Sequence, residues 1–306
     1  MRVLVLGGRG FVGKALVSKV GAAGHEVVCL SRWDGVDLRD LEKTRLALAD
    51  VAPAAIFNAA AHVGSLHYVT TYSADVLYDN ALMALNLYKA AASVCPRAVI
   101  VNPLSNCSYP GDADTHWEPE WWAGEVHDSV FAYGNAKRFI YVISKCYWRQ
   151  YGIRSVNFLV PNTFGPGDYA DPNKTHAMNG MILRMIQARR RGDGEFEIWG
   201  SGKPVREWGY IKDVVQILCL SLDVEGEQIY PLNIAQNKGY SIRESAELIA
   251  RAVGFGGRLV FNTRYQDGAP LKILDDRKFR EIFPRFEFYD HAQGIRETVE
   301  YYEEIL

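Results

Sequence analysis

The sequence predicts an α/β fold in which a doubly wound parallel sheet is followed by a smaller C-terminal α/β domain. The first observation is a glycine-rich turn that joins an apolar run at the N-terminus to a helix-compatible stretch. The second is the alternation of near-continuous apolar runs with helical patterns, which is typical of parallel strands covered on both faces. The third is that this alternation fades after about Pro161, where Gly, Pro, Asn and aromatic residues become frequent.

The glycine-rich turn lies in the opening segment MRVLVLGGRGFVGKALVSKV, where the predicted helix starts near Phe11. Gly7, Gly10 and Gly13 follow a G-x-x-G-x-x-G spacing. Glycines at such a turn let the backbone approach a pyrophosphate and let the helix pack closely on the strand, with the phosphates at the helix N-terminus. An ordinary strand-to-helix turn needs only one glycine, so this spacing favours a Rossmann-type dinucleotide-binding domain.

Further strands are predicted in the apolar runs EVVCL, AAIFN, AVIVN and RSVNFLV. Later helices are shorter, such as the one predicted over SIRESAELIARAVG. We therefore assign residues 1–160 and 213–235 to the Rossmann domain, and residues 161–212 and 236–306 to the smaller domain. The ligand cleft is expected between the two, outside the carboxyl ends of the strands.

Composition argues against several classes of partner. The 306 residues are 48% hydrophobic and 23% charged, and a formal net charge of −2 offers no electrostatic basis for binding nucleic acid or an anionic membrane. No stretch approaches the ~20 continuous apolar residues of a membrane span. The first strand also leaves no room for a signal peptide, so we expect a cytoplasmic protein.

The five cysteines show no C-x-x-C or Cys/His zinc spacing, so neither a disulfide framework nor a bound metal is expected. Cys29, Cys95, Cys146 and Cys219 lie among apolar residues and are predicted to be buried. Cys107 differs from these four because Ser, Asn, Tyr and Pro surround it.

Tyr133 and Lys137 lie one helical turn apart in the segment FAYGNAKRFIYVI. Residues four apart share a helix face, so the Lys137 ammonium is expected to lie near the Tyr133 phenol and favour its ionised form. A phenol with its usual pKa of about 10 is a poor acid or base near neutrality without such a neighbour. Many helices carry this pair for solubility, and the glycine-rich turn upstream is what favours a catalytic role.

Together these features resemble the extended short-chain dehydrogenase/reductase family. The resemblance rests on the glycine loop, the NAAA box at Asn58–Ala61, Ser105 after the fourth strand, and Tyr133 with Lys137. Within that family the chain is most similar to the GDP-L-fucose synthases, which are GDP-4-keto-6-deoxymannose 3,5-epimerase/4-reductases. The segments that carry this similarity are GGRGFVG, AAAHVG, SNCSYP, VPNTFGPGD, DPNKTHAM, WGSGKPVREW and DGAPLKILD.

The resemblance implies two sets of catalytic residues. Ser105, Tyr133 and Lys137 match the apparatus that reduces the ketone, and Lys137 would also hold the nicotinamide ribose. Cys107 and His176 match the positions that move protons on the carbons flanking the ketone. A buried thiol and a histidine at a helix start are the alternative interpretations of these two, so a 4-ketoreductase without epimerase activity stays open. A non-catalytic NADP-binding sensor protein is an alternative of another class.

His176 is predicted to begin a helix. The apolar face of that helix consists of Met178, Met181, Ile182 and Met185.

The resemblance also implies NADPH as the cofactor. Ser31 and Arg32 follow the second strand, where a cofactor without the 2′-phosphate usually meets an acidic residue. Arg9 and Arg32 match positions that bind the 2′-phosphate in the fucose synthase group, and Asp37 is expected to contact adenine. The full predicted cofactor set is Gly7, Arg9, Gly10, Phe11, Val12, Gly13, Arg32, Asp37, Leu38, Ala59, Ala60, Tyr133 and Lys137.

For the substrate, the resemblance implies a nucleotide-linked sugar, with GDP as the expected nucleotide. Trp199, Arg206 and Lys272 match family positions near its diphosphate, and Asn162 is a candidate hydrogen-bond donor in the cleft. The planar guanidinium suits phosphate because it donates paired hydrogen bonds. A structural ion pair of Arg206 with Glu207 or Asp213 is the alternative.

Some features depart from the fucose synthase pattern. Asn106 stands where that pattern has a second serine, and Pro103-Leu104 replaces a glycine, so a different deoxy sugar or a heptose is an alternative substrate. The tryptophan-rich segment 116–125 is either a lid or a loop packed on its own aromatics. By resemblance we expect a homodimer, formed through helices near 75–94 and 129–151.

Overall fold

The computed structural model of the chain describes residues 1–113, 115–171, 174–223, 231–265 and 267–306. Within these ranges the helices are α1 (Phe11–Ala22), α2 (Leu41–Val51), α3 (Leu66–Thr71), α4 (Ser73–Val94), α5 (Phe131–Tyr151), α6 (Ala177–Arg191), α7 (Ile211–Leu220), α8 (Ile242–Val253), α9 (Arg277–Ile282) and α10 (His291–Ile305). The strands are β1 (Arg2–Leu6), β2 (Glu26–Leu30), β3 (Ala55–Asn58), β4 (Val99–Ser105), β5 (Ser155–Val160), β6 (Asn162–Phe164), β7 (Glu195–Trp199), β8 (Val205–Arg206), β9 (Trp208–Tyr210), β10 (Leu232–Asn233), β11 (Tyr240–Ser241), β12 (Arg258–Asn262) and β13 (Leu271–Lys272).

The main sheet contains six of the described strands, in the order β10-β5-β4-β3-β1-β2. All of its neighbours pair in parallel. From β1 the chain goes to β2 on one side and then returns to β3 on the other, so a crevice opens at the carboxyl ends of β1 and β3. The predicted doubly wound parallel sheet is confirmed.

Side chains of the sheet enter two hydrophobic clusters, one on each face. In β1, Val3 and Val5 belong to the cluster that includes residues of α1, α6 and α7, whereas Leu4 and Leu6 belong to the cluster with residues of α2, α4 and α5. Successive side chains of a strand point to opposite faces, so both faces must be covered and the strand reads as a continuous apolar run.

The chain after β5 builds smaller sheets, and part of it returns to the main sheet. β11, β8 and β13 form one small sheet, β12 pairs with β7, and β6 pairs with β9. Helices α6, α8 and α10 pack on one another, whereas α7 packs on α1 and β10 pairs with β5. The smaller C-terminal α/β part is confirmed, and the boundaries assigned to the two domains stay predictions. No helix in the described ranges combines the length and apolarity that a membrane span requires.

Glu207, between β8 and β9, is a buried carboxyl group that links three segments of the C-terminal part. It is 1% exposed and accepts hydrogen bonds from the backbone N–H groups of Gln236 at 2.6 Å and Leu274 at 2.8 Å. Burial raises the pKa of Glu207 to about 8. The folded protein therefore keeps a proton that the unfolded chain releases above its ordinary pKa near 4.5.

We expect the free energy of unfolding to fall as pH rises from about 5 to 8, because the unfolded chain ionises Glu207 in that range whereas the folded protein keeps it protonated. The fall is about 4 kcal/mol, since the pKa of Glu207 lies above this interval of roughly three pH units only in the folded state and each unit contributes at most 1.36 kcal/mol. Urea unfolding of wild type and Glu207→Gln across this pH range measures it, with Glu120→Gln at the surface as a control. The difference between wild type and Glu207→Gln should shrink or reverse with rising pH, and parallel pH profiles would contradict the assignment.

Candidate active site

The glycine loop after β1 has the backbone geometry of an anion-binding turn. Gly7 has a φ of +73°, and a Cβ there would lie 2.7 Å from Cα of Ala60. A Cβ on Gly13 would lie 2.1 Å from the carbonyl oxygen of Gly7. Gly10 is the N-cap of α1 and has no side chain with which to cap the first N–H groups of the helix. The loop fits the pyrophosphate of a dinucleotide, and Ala59 and Ala60 of the NAAA box lie against it.

Tyr133 and Lys137 lie in the first two turns of α5, as the spacing predicts. The Lys137 Nζ is 5.4 Å from the centroid of the Tyr133 ring and donates a hydrogen bond to the carbonyl oxygen of Pro103 at 3.1 Å. Lys137 is only 4% exposed, and burial lowers its pKa to about 8.

The expectation that Lys137 favours an ionised phenol needs correction. Burial raises the pKa of Tyr133 above its ordinary value, and the nearby Cys107 thiol adds to the effect. Desolvation penalises the charged form of both groups and is the largest cause of both pKa shifts. Tyr133 is therefore a protonated phenol at neutral pH, which suits a proton donor.

Ser105 and Cys107 reach the same place from the end of β4. A 3₁₀ turn over Asn106–Ser108 follows Ser105 directly, and the Ser105 Oγ accepts a hydrogen bond from the backbone N–H of Cys107 at 3.2 Å. A Cβ on Gly134, next to Tyr133, would lie 2.5 Å from the carbonyl oxygen of Cys107. A glycine at that position lets α5 approach the turn, and this brings the phenol, the hydroxyl and the thiol together.

Two cations from the C-terminal part face this cluster. The Nζ of Lys272 lies 3.6 Å from the Cys107 Sγ, and Arg206 is near enough to Cys107 for their charges to interact. Lys272 and Arg206 are register partners on the parallel strands β13 and β8, which place the two residues side by side. In the described part of the chain Arg206 pairs with neither Glu207 nor Asp213, so the structural ion pair considered for Arg206 is not formed.

His176 immediately precedes α6, and the predicted helix with its buried methionine face is confirmed. Its Nδ1 lies 3.0 Å from the Oδ2 of Asp168, and its backbone N–H donates to the same oxygen at 2.9 Å. The His176 ring centroid is 5.2 Å from that of Phe11, the first residue of α1. The histidine is thus held by a carboxylate beside the glycine loop, with a side chain that is 40% exposed.

Asp168 was not identified from the sequence. Its side chain is fully buried. Burial opposes its ionisation, but the hydrogen bond and charge of His176 hold the pKa of Asp168 below its usual range. An ionised Asp168 can only accept a hydrogen bond, so the Nδ1 of His176 carries the proton. The other ring nitrogen, Nε2, is then the one that can accept a proton. The only sequence signal was an aspartate after the GPG turn, and turns carry aspartate for many local reasons.

The other predicted substrate residues lie on β6 and β7. Asn162 begins β6, and its buried Nδ2 has no hydrogen-bond partner in the described residues, as expected of a donor that meets a ligand. Trp199 ends β7, is 57% exposed and stacks on Tyr265 with centroids 4.8 Å apart. The Arg184 guanidinium lies 5.3 Å from the Trp199 ring. Neither Tyr265 nor Arg184 has a sequence signal that separates it from ordinary surface residues.

The predicted adenosine-side residues lie near the end of β2, with different surroundings. Arg32 is exposed, whereas Arg9 forms an ion pair with Asp34 at 2.7 Å. Asp37 is paired with Arg39 at 2.7 Å, which lowers the pKa of Asp37 to about 2. The side chain of Leu38 is buried in the core, and its carbonyl oxygen accepts a hydrogen bond from the Asn86 Nδ2 at 2.9 Å.

The tryptophan-rich segment packs against α5. Trp121 is fully buried and donates from Nε1 to the Ser108 Oγ at 2.9 Å. Arg138, next to Lys137, donates to the carbonyl oxygens of Trp121 at 2.6 Å, Ser108 at 2.8 Å and Gly124 at 3.0 Å. This geometry favours the packed-loop interpretation of the segment.

The burial predicted for Cys146 is wrong, since this residue is exposed on the face of α5 that also exposes Val142.

Comparison with known proteins agrees with this geometry. The profile of the NAD dependent epimerase/dehydratase family matches residues 3–235. A probable GDP-L-fucose synthase of Drosophila melanogaster is 31% identical over 98% of this chain and 97% of its own length, and the GDP-L-fucose synthase of Escherichia coli K12 is 29% identical over 92% and 90%. The crystal structure of a GDP-L-fucose synthetase from Naegleria fowleri bound to NADP superimposes with a TM-score of 0.90 at 27% identity, covering 99% of this chain and 92% of that one. With the glycine loop, the Tyr133 and Lys137 pair and this match over most of its length, the chain belongs to the NAD dependent epimerase/dehydratase family.

Proposed function

We propose that this protein is an NADPH-dependent epimerase/reductase of a GDP-linked 4-keto-deoxy sugar or heptose. The observation that carries the proposal is the convergence of Tyr133, Ser105 and Cys107 at the end of β4, with the His176–Asp168 pair beside the glycine loop. Relatives that match nearly the whole chain are named GDP-L-fucose synthases, and a structural neighbour carries NADP.

In the reduction, bound NADPH supplies the hydride that converts the ketone to an alcohol. Tyr133 donates its phenolic proton to the ketone oxygen, and the Ser105 hydroxyl hydrogen-bonds the same oxygen as negative charge develops there. The buried Lys137 cation, 5.4 Å from the Tyr133 ring, stabilises the phenolate that remains after proton transfer. Its hydrogen bond to Pro103 keeps it in place.

In the epimerisation, Cys107 and His176 act on the carbons that flank the ketone. Inversion needs a base that removes a proton from one face and an acid that returns a proton to the other. A thiol and an imidazole have ordinary pKa values of about 8.5 and 6.5, so both can exchange protons near neutrality. Lys272 lies 3.6 Å from the Cys107 sulfur, and Tyr133 with Ser105 stabilises the enolate oxygen.

Arg206 and Lys272 would bind the diphosphate of the substrate, and Asn162 would donate a hydrogen bond in the cleft. Trp199 would lie against the nucleotide.

We further propose a cytoplasmic homodimer. The free thiols of the described cysteines suit a reducing compartment, and α4, which packs on α5, exposes Leu77, Tyr78 and Leu85 for a second copy to cover.

Incubation with GDP-4-keto-6-deoxymannose tests the proposal. With NADPH we expect loss of the nicotinamide absorbance and a reduced sugar nucleotide. Without NADPH in deuterated water, proton NMR should show deuterium entering beside the ketone. Reduction without such exchange would identify a pure 4-ketoreductase, and NADPH binding without turnover on any keto sugar nucleotide would identify a sensor protein.

A further inference from the structure

The Asp34 carboxylate accepts hydrogen bonds from two side chains near the end of β2. The Asp34 Oδ1 accepts from the Arg9 Nη2 at 2.7 Å, and the Asp34 Oδ2 accepts from the Ser31 Oγ at 2.6 Å. Arg9 comes from the glycine loop and Ser31 directly follows β2. A guanidinium and a hydroxyl that converge on an anion form the kind of donor set that also binds phosphate oxygens.

The backbone holds Asp34 in this position. Residues Arg32–Asp34 form a 3₁₀ turn in which the Asp34 N–H donates to the carbonyl oxygen of Ser31 at 2.9 Å, and Gly35 ends the turn with a φ of +81°. The hydrogen bonds from Ser31 and Arg9 lower the pKa of Asp34, so it is ionised at neutral pH. The neighbouring acid, Asp37, is paired with Arg39 at 2.7 Å.

In doubly wound folds this place meets the adenosine ribose of the dinucleotide. An acidic residue there accepts a hydrogen bond from the 2′-hydroxyl of NAD(H), whereas a nearby arginine accommodates the 2′-phosphate of NADP(H). This chain has both an acidic residue and an arginine at this place, and the two form an ion pair. A 2′-phosphate that approaches Arg9 and Ser31 meets a carboxylate already bound to them.

We propose that Asp34 limits the preference of this site for NADPH over NADH by competing with the 2′-phosphate for Arg9 and Ser31. This inference rests on the proposed function only in placing the dinucleotide on the glycine loop. NADPH must displace Asp34 and tolerate its charge nearby. NADH leaves the ion pair intact, and its 2′-hydroxyl can donate a hydrogen bond to the Asp34 carboxylate. The exposed Arg32, which forms no ion pair within the described ranges, remains available to either cofactor.

Titration of the purified protein with NADPH, NADH, 2′,5′-ADP and 5′-AMP tests this role without any turnover. Asp34→Asn should tighten the binding of NADPH and 2′,5′-ADP by about tenfold. The same variant should leave NADH and 5′-AMP unchanged or weaken them several-fold. Asp50→Asn, which removes the same charge from an exposed position on α2, is the matched control and should alter none of the four.

Two outcomes would overturn the inference. Equal changes for phosphorylated and unphosphorylated ligands would mean that Asp34 does not discriminate, and weaker NADPH binding in Asp34→Asn would mean that it orients Arg9 toward the phosphate. Either result leaves the proposed function intact, because wild type still binds the cofactor. Failure of wild type to bind both NADPH and NADH would instead reject the proposed function, and this inference with it.

Discussion

Replacing Tyr133 with phenylalanine is expected to lower kcat/KM for ketone reduction by about 10²–10⁴-fold, the usual contribution of a positioned general acid. Burial raises the pKa of Tyr133, so the phenol carries its proton at neutral pH and can give it to the ketone oxygen. Phenylalanine keeps the ring that lies beside Lys137 and removes only the donor. Steady-state kinetics with the keto sugar nucleotide and NADPH measure the loss.

The Tyr133→Phe experiment needs evidence that the fold and the cofactor site survive. NADPH affinity by fluorescence titration and the thermal midpoint should match those of wild type. Tyr151→Phe is the matched control, since Tyr151 ends the same helix and is 50% exposed, and it should leave kcat/KM unchanged. A Tyr133→Phe enzyme that retains a tenth or more of wild-type kcat/KM would remove Tyr133 from the catalytic set.

Cys107→Ser and His176→Asn are expected to slow deuterium exchange beside the ketone by about 10²–10⁴-fold each. Each variant deletes one of the two groups that accept and return protons at carbon. Neither deletes Tyr133 or Ser105, so reduction of a 4-keto substrate that already has the product stereochemistry should continue at a comparable rate. Proton NMR in deuterated water measures the exchange, and NADPH oxidation measures the reduction.

Controls for this experiment come from residues of the same type elsewhere. Cys146→Ser removes an exposed thiol of α5, and His67→Asn removes an exposed imidazole, so neither should affect exchange. Asp168→Asn should act as a positioning variant that lowers exchange and spares reduction, because it removes the acceptor that holds the His176 Nδ1 proton. Equal loss of exchange and reduction in all three site variants would indicate a collapsed cleft rather than a proton-transfer role.

The sequence predicted those features of the structure whose geometry depends on residues close together in the chain. Gly7, Gly10 and Gly13 predicted the loop, because a turn that must pack a helix on a strand restricts side chains over a few residues. Tyr133 and Lys137 could be paired because helix geometry places residues four apart on one face. The helix after His176 followed from its apolar periodicity, and buried parallel strands followed from continuous apolar runs.

Contacts between distant segments could not be predicted from such local patterns. Lys272 reaches the Cys107 sulfur across 165 positions, and the Asp34–Arg9 pair spans 25 positions between two loops. Asp168 is only eight positions from His176, yet nothing in the GPGD turn indicates that its carboxylate is buried and bound to an imidazole. Arg206, for which an ion pair with Glu207 or Asp213 was considered, faces the thiol instead.

By itself, the sequence determined the architecture of this protein, its glycine loop and the placement of Tyr133 and Lys137 on one face of α5, since these depend on backbone preferences and side-chain periodicity over short stretches. Only the tertiary structure decided the charge states and the alignment of the site. Whether the phenol of Tyr133 is ionised, which carboxylate orients His176, and which anion already occupies Arg9 all depend on desolvation and on contacts that exist only when remote segments are packed together.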